Sequence, residues 1–303
     1  MSRRDFRDVD GILLLDKPKG LSSNQALQRV RRLYRARKAG HCGSLDPLAT
    51  GLLPICFGEA TKFSSYLLGA DKAYRASCRL GQTTTSGDAE GEILEQREVV
   101  VDPAELDEVL ARFRGDIEQV PPMYSALKHE GKRLYQLARE GREVERAPRQ
   151  VRIERLELLA FDDDTLDIDV TCTKGTYIRS LAEDIGAALG CGAHLVALHR
   201  WQVGDFNESK AFTLPRLESL QGEGLENLDA LLLPVADALQ QFPELVLDAA
   251  QSADICHGRV VSLAQQAIPG LHRLRSADGA FLGLGELSES GCLKAKRLMN
   301  TAR

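Results

Sequence analysis

The amino-acid sequence predicts an α+β fold: a mixed, mainly antiparallel sheet with helices, followed by a small β-rich C-terminal domain. Three observations carry that expectation. Strand-like runs of two kinds occur, a continuous apolar one (GILLLD, Gly11 to Asp16) and an alternating one (Lys72 to Gly81). Helical and strand-like segments do not alternate in the regular βαβ order of a doubly wound protein. Composition shifts near Pro215, after which an acidic, Leu-rich connector leads into a glycine-punctuated tail of short strands.

Along the chain, GILLLD ends in the turn Lys17-Pro18-Lys19-Gly20, and Ser22 or Ser23 can cap a helix running to about Tyr34. Ala26, Leu27, Val30, Leu33 and Tyr34 form its apolar stripe, with Arg29, Arg31, Arg32 and Arg35 projecting elsewhere. A Gly-rich loop spans Gly40 to Gly51; a strand over Leu52 to Phe57 and a helix over Glu59 to Leu68 follow. In Lys72 to Gly81, Tyr74, Ala76, Cys78 and Leu80 share one face. Pro103 to Arg114 reads as a helix with acids in its first turns. Met123 to Arg155, with nine Lys/Arg against five acids, reads as a basic excursion, partly helical around Leu134 to Arg139. Strands over Val151–Phe161 and Leu166–Thr173 pair around an acidic turn, a helix spans Tyr177 to Leu189, and His194 to Phe206 returns to strand. The expected division is a domain over 1–240 and a second over 241–303, which 303 residues accommodate.

Hydrophobic content of 43% and charged content of 27% describe an ordinary globular chain. No apolar stretch reaches the roughly 18 residues of a membrane helix, and the charged start MSRRDFRDVDG lacks a secretory apolar core. A cytoplasmic protein without membrane association is therefore expected. Seven scattered cysteines without a CxxC pair and six dispersed histidines suggest reduced thiols and no metal site. The net charge of −5 conceals polarity: 1–41 carries eleven Lys/Arg against four acids, whereas 215–254 carries one Arg against eight. Such a basic region suits a polyanionic partner, although a solvated helix face would look the same.

The loop GHCGSLDPLATG holds the strongest chemical candidate. Its glycines permit positive φ and close backbone approach, and Pro47 restricts Asp46 to extended conformations, which helps aim its carboxylate. Taken alone, a Gly/Asp/Pro loop is usually just a turn.

The run GHCGSLDPLATGLLPICFGEATK resembles the catalytic motif of the tRNA pseudouridine-55 synthases, the TruB family. DGILLLDKPKGLSS resembles that family's N-terminal motif and DKAYRASCRLGQTTTSGDAEGEI its second. PPMYSALKHEGKRLYQLAREG resembles its T-arm-gripping segment, and CTKGTYIRSLAEDIG its third core motif. These stretches lie in family order across residues 10–206, and the tail resembles the appended PUA domain. The resemblance implies a pseudouridine synthase core with an RNA-gripping insertion at about 123–152, acting without a cofactor on the T-arm of tRNA. It implies Asp46 as nucleophile, attacking C1′ or C6 of the nucleotide, Arg179 as its ion-pair partner and Tyr74 as a residue stacking on the base. His41 would fill the space left by a flipped nucleotide, Asp88 and Tyr177 would stand near the site, and Leu198 would touch the uracil. Lys17 and Lys19 would meet phosphate or order the site. Lys128, Lys132, Arg133, Arg139 and Arg142 would grip the RNA backbone. The family commonly has Thr where this chain has Cys42, which puts details of the loop in doubt. A monomer without an obligatory protein partner is expected. A guide-RNA-dependent relative is disfavoured, because only six residues follow Lys294-Ala295-Lys296-Arg297. A tRNA-folding chaperone with Asp46 idle is the remaining alternative.

Overall fold

The computed structural model describes residues 6–263 and 268–300. Strand β1 (Gly11–Lys17) leads into helix α1 (Ser23–Leu33). Ser22 is its cap: the Ser22 hydroxyl accepts from the Gln25 N–H at 3.2 Å, and the Gln25 side chain accepts from the Ser22 N–H at 2.8 Å. Arg29, Arg32 and Arg35 are exposed. Arg31 instead folds back onto the carbonyls of Ala36 and Arg37, at 3.1 and 2.9 Å. Strands β2 (Ala39–His41) and β3 (Thr50–Phe57) flank the Gly-rich loop.

The helix expected over 59–68 is a 3-10 turn, Gly58–Phe63, followed by a short helix α2 (Ser64–Gly69). The reason is local. The Thr61 and Ser64 hydroxyls donate to carbonyls three residues back, Gly58 at 2.7 Å and Thr61 at 3.0 Å, which favours the tighter winding.

Next come β4 (Lys72–Leu80), a hairpin of β5 (Gln82–Thr84) and β6 (Ile93–Gln96), α3 (Pro103–Arg112) and β7 (Gly115–Gln119). The basic excursion contains a two-residue hairpin, β8 (Lys128–His129) with β9 (Lys132–Arg133), and helix α4 (Leu134–Arg139). It returns into the long hairpin of β10 (Arg149–Asp162) and β11 (Thr165–Cys172). Helix α5 (Ile178–Ala188), β12 (Ala193–Val203), β13 (Phe206–Asn207) and β14 (Phe212–Thr213) complete the large sheet. The connector carries α6 (Leu214–Glu223) and α7 (Leu225–Asp229). The tail is β15 (Glu244–Leu247), α8 (Ala249–Cys256), β16 (Val261–Ser262), β17 (Gly270–Ser276), β18 (Phe281–Leu287) and β19 (Cys292–Leu298).

The large sheet has ten strands, with the path β14-β1-β3-β12-β4-β11-β10-β7, β2 joining β3 and β13 joining β12. Two seams on that path, β14–β1 and β3–β12, are parallel, and the rest are antiparallel. Its two halves are covered differently, which explains the two sequence patterns. Around β1 and β3 both faces are buried. Leu13, Leu15, Leu53 and Ile55 pack with α1, while Ile12, Leu14, Leu52 and Cys56 pack with Phe63, Leu67 and Leu239. A strand buried on both sides reads as an unbroken apolar run. In β4 the even positions Tyr74, Ala76, Cys78 and Leu80 face the core, and Arg75 and Arg79 are exposed on the bare face.

The five-stranded tail sheet, β15-β17-β18-β19-β16, has its own small core of Leu247, Ile255, Leu274, Leu282 and Leu293. It also joins the second apolar layer. Phe281 packs on Phe63 with centroids 6.0 Å apart, Phe242 meets Tyr66 edge-on at 5.4 Å, and Lys62 donates to the Leu298 carbonyl at 3.2 Å.

Candidate active site

Four chain segments meet at the loop between β2 and β3. Asp46 stands at its turn, with a side chain 44% exposed. From beneath, Arg179 on α5, only 4% exposed, places Nε 3.0 Å from Asp46 Oδ2 and 3.6 Å from Asp88 Oδ2. The same guanidinium donates to the carbonyls of Ser86 at 2.9 Å and Tyr124 at 2.6 Å. Each of the three guanidinium nitrogens thus has a partner, which fixes its plane and the carboxylate it meets. The contact to Tyr124 also ties the start of the basic insertion to the site.

Asp88 is buried and accepts from the Ser86 hydroxyl at 2.5 Å and the Glu90 N–H at 3.1 Å. Its loop docks on β12 through Ala89 N–H to the Leu195 carbonyl, at 2.9 Å. Burial and the charges of Asp88 and Asp46 hold the Glu90 carboxyl above the usual carboxylate range. Tyr74, 8% exposed, lies below the loop opposite Arg200 in the β4–β12 pairing. Burial raises its phenol above the ordinary value, with Arg200 opposing that rise.

His41 pairs opposite Ile55 between β2 and β3, and its buried Nδ1 lacks a hydrogen-bond partner among the described residues. Burial first and then the Arg200 charge lower its imidazole. Leu198 is buried on β12. Tyr177 precedes α5, and its backbone is gripped by the Gln119 side chain: Tyr177 N–H donates to Oε1 at 3.0 Å, and its carbonyl accepts from Nε2 at 3.2 Å. Lys19 is exposed.

Of the two roles expected for Lys17, a phosphate contact or ordering of the site, its surroundings fit the second. It is fully buried, and Nζ donates to the carbonyls of Pro18 at 2.9 Å and Leu21 at 2.7 Å. Burial lowers it to about 8, against the pull of Asp46. It braces its own turn, because no face of the ammonium is open to a phosphate.

The insertion residues stand apart from this cluster. Lys128, Lys132, Arg133, Arg139 and Arg142 are all exposed. Arg133 and Arg139 flank the Tyr135 ring at 5.9 and 5.7 Å, while Arg142 lies 3.7 Å from Glu140. Between the insertion and α5 runs a cleft of about 570 Å³ lined by Tyr124, Arg142, Arg146, Glu183 and Asp184.

Sequence reasoning passed over Arg200, Gln119 and the Thr50–His199–Glu208 chain. Thr50 Oγ1 lies 2.9 Å from His199 Nδ1, and Nε2 of that ring pairs with Glu208. The available signal for Arg200 was weak, an arginine in a strand that also carries His194, His199 and Gln202, although burial of an arginine is disfavoured without a compensating purpose. Among the described residues no group of three His, Cys, Asp or Glu is arranged to hold a metal ion, and no helix is long and apolar enough to cross a membrane.

Comparison with known proteins places this geometry in context. The N-terminal domain of TruB family pseudouridylate synthases matches residues 31–178. The tRNA pseudouridylate synthase B C-terminal domain matches 179–240, and the pseudouridine synthase II TruB C-terminal domain matches 243–299. A tRNA pseudouridine synthase B of Stutzerimonas stutzeri is 55% identical over 99% of this chain and 98% of its own. The chain belongs to the TruB family of pseudouridylate synthases. A second TruB-family relative, the tRNA pseudouridine synthase B of Methylobacillus flagellatus, is also 55% identical, over the same shares of both chains. Among solved structures, a chain of a Cbf5-Nop10-Gar1 complex aligns at a TM-score of 0.71 and 27% identity, covering 93% of this TruB-family chain and 79% of that one. The mixed α/β synthase fold and its β-rich C-terminal part are thus shared with known pseudouridine synthases.

Proposed function

We propose that this protein isomerises uridine 55 in the T-loop of tRNA to pseudouridine, as a stand-alone enzyme with Asp46 as nucleophile. The observation that carries the reading is the Asp46–Arg179 pair, a half-exposed carboxylate held at 3.0 Å by a buried guanidinium anchored on two carbonyls. Such a pair fixes where the carboxylate points and leaves it open to solvent. The relatives named tRNA pseudouridine synthase B support tRNA as substrate. Their 55% identity, against 27% for the chain of the Cbf5-Nop10-Gar1 complex, supports action outside such a multi-protein complex.

In the reaction the N1–C1′ bond breaks, the base turns, and a C5–C1′ bond forms. C5 loses its proton and N1 gains one, so the balance requires no oxidant. Asp46 serves by attacking C1′ or by adding to C6; either creates a covalent intermediate from one positioned carboxylate. Tyr74, raised by burial, stays protonated at neutral pH, which suits packing against the base and not proton abstraction. The target base is stacked in a folded T-loop, so it must be extruded at a cost of a few kcal/mol. In this reading His41, Leu198, Asp88, Tyr177 and Lys19 serve the flipped nucleotide. The exposed insertion cations offer phosphate contacts. In this reading residues 1–240 catalyse and 241–303 bind RNA, in a cytoplasmic monomer.

The test is incubation of the purified protein with unmodified tRNA transcript, without cofactors or guide RNA, followed by pseudouridine mapping. Product confined to the T-loop uridine, abolished by Asp46→Asn with RNA binding retained, is expected. Product formation by Asp46→Asn sinks the nucleophile assignment, and binding without product by the wild type favours the chaperone alternative.

A further inference from the structure

Arg200 is 1% exposed on β12, opposite Gly51 on one side and Tyr74 on the other. Its guanidinium passes beneath the Asp46 loop. Nε donates to the Leu52 carbonyl at 2.8 Å, Nη2 to the Gly43 carbonyl at 3.1 Å, and Nη1 lies 3.5 Å from the Ser44 carbonyl. These acceptors sit at the two ends of the segment that carries Asp46, so one side chain closes the loop from behind. Arg179 meets the carboxylate from the opposite direction, through α5.

The charge is expensive where it lies. Removing a cation from water costs several kcal/mol even after relaxation, and among the described residues Arg200 has no ion pair. Its charged neighbours aggravate the cost. Lys17 and Lys72 are both buried cations, each lowered to about 8 by burial first, with Arg200 contributing. A well-packed apolar residue would hold an ordinary core as well or better. What an apolar residue cannot do is tie three carbonyls from two strand ends to one rigid plane.

We infer that Arg200 is a positioning residue for the isomerisation, clamping both ends of the loop so that the Asp46 carboxylate stands at a fixed point. The inference rests on the proposed function above. Its burial beneath the loop, away from any surface an RNA could meet, predicts an effect on the chemical step and little on RNA capture.

The experiment uses the full chain with unmodified tRNA transcript, in single-turnover assays at saturating enzyme, with RNA affinity and circular dichroism measured in parallel. Arg200→Met keeps the stem and removes every donor. Its rate at saturation should fall about 100-fold, the loss expected of an ångström-scale displacement of a reacting group. RNA affinity should stay within about threefold, the pattern of an interaction that acts in the transition state alone. Arg200→Lys, with one ammonium able to reach the carbonyls, should recover about tenfold of that loss. A wild-type rate for Arg200→Met, parallel losses of rate and affinity, or Arg200→Lys no faster than a folded Arg200→Met would each overturn the clamp. Should Arg200→Met fail to fold, Arg200→Lys decides alone: a lowered rate with unchanged affinity supports the clamp, and any other result refutes it. The wild type is read first in the same assay. Absence of T-loop product there sinks the proposed function and this inference with it, whereas wild-type product beside unaffected variants sinks the clamp alone.

Discussion

Replacing Gly51 by Ala probes the seam on which the active loop hangs. Gly51 sits at φ +97° where β3 meets β12 in parallel. A Cβ there would stand 2.4 Å from the Arg200 carbonyl oxygen, 2.9 Å from His199 Cε1 and 3.0 Å from the Arg200 nitrogen. The first of these is backbone to which Arg200 itself is attached, so no side-chain rotation relieves it. Two contributions add. The left-handed backbone costs an alanine about 1–2 kcal/mol, and overpacking a close-packed interior costs about 1–3 kcal/mol more. The expected destabilisation is therefore about 2–5 kcal/mol, measured by urea unfolding at constant m-value. Gly190→Ala is the control, because Gly190 has φ +75° but nothing within 4 Å of a new Cβ. It should lose only the backbone part, about 1–2 kcal/mol. Equal losses in the two variants would show that the seam tolerates separation and would refute the close-approach argument.

Three further outcomes are expected. Arg179→Lys retains the charge but not the fork that holds Asp46, Ser86 and Tyr124. Losing charge-assisted bonds worth about 1.5–3 kcal/mol each should lower the single-turnover rate by about 100-fold, and a rate near wild type would deny the pairing a catalytic part. His41 is held below its ordinary value, so below about pH 6.5 the unfolded chain binds more protons than the folded one. The wild type should therefore lose stability relative to His41→Gln as pH falls through that region. A gap between the two unfolding midpoints that does not move with pH excludes His41 as a buried neutral group. Removing Lys132, Arg133 and Arg139 together should flatten the dependence of log affinity on log salt, by roughly 0.7–0.9 per lost phosphate contact. An unchanged slope would mean that the insertion does not touch the RNA backbone.

The sequence revealed those parts of the fold whose burial is complete or whose alternation is regular. GILLLD and Lys72–Gly81 could be read because one strand is buried on both faces and the other on one. The strands β6, β8 and β9 could not, since they are short and exposed, and their residues carry no periodic signal. In the site, motif resemblance singled out Asp46 and Arg179, which the fold brings together from 133 positions apart in the chain. For Lys17 the sequence left a phosphate contact and an ordering role both open; only the packing shows its ammonium turned inward onto two carbonyls. Arg200 went unnoticed because the loop partners it holds are main-chain oxygens, which sequence patterns do not display.

The contact of Phe281 and Phe242 with Phe63 and Tyr66 has a practical bearing on truncation. A chain cut near residue 240 would uncover aromatic rings in the layer behind β1 and β3, and Glu59 would lose its bond from the Asn300 N–H at 2.6 Å. Such a fragment is expected to self-associate through the uncovered patch. Weak RNA binding by it would then reflect loss of dispersed protein. Charge-neutralising substitutions on the outer faces of β17 and β19, which leave those rings covered, are the cleaner way to ask what the tail sheet recognises.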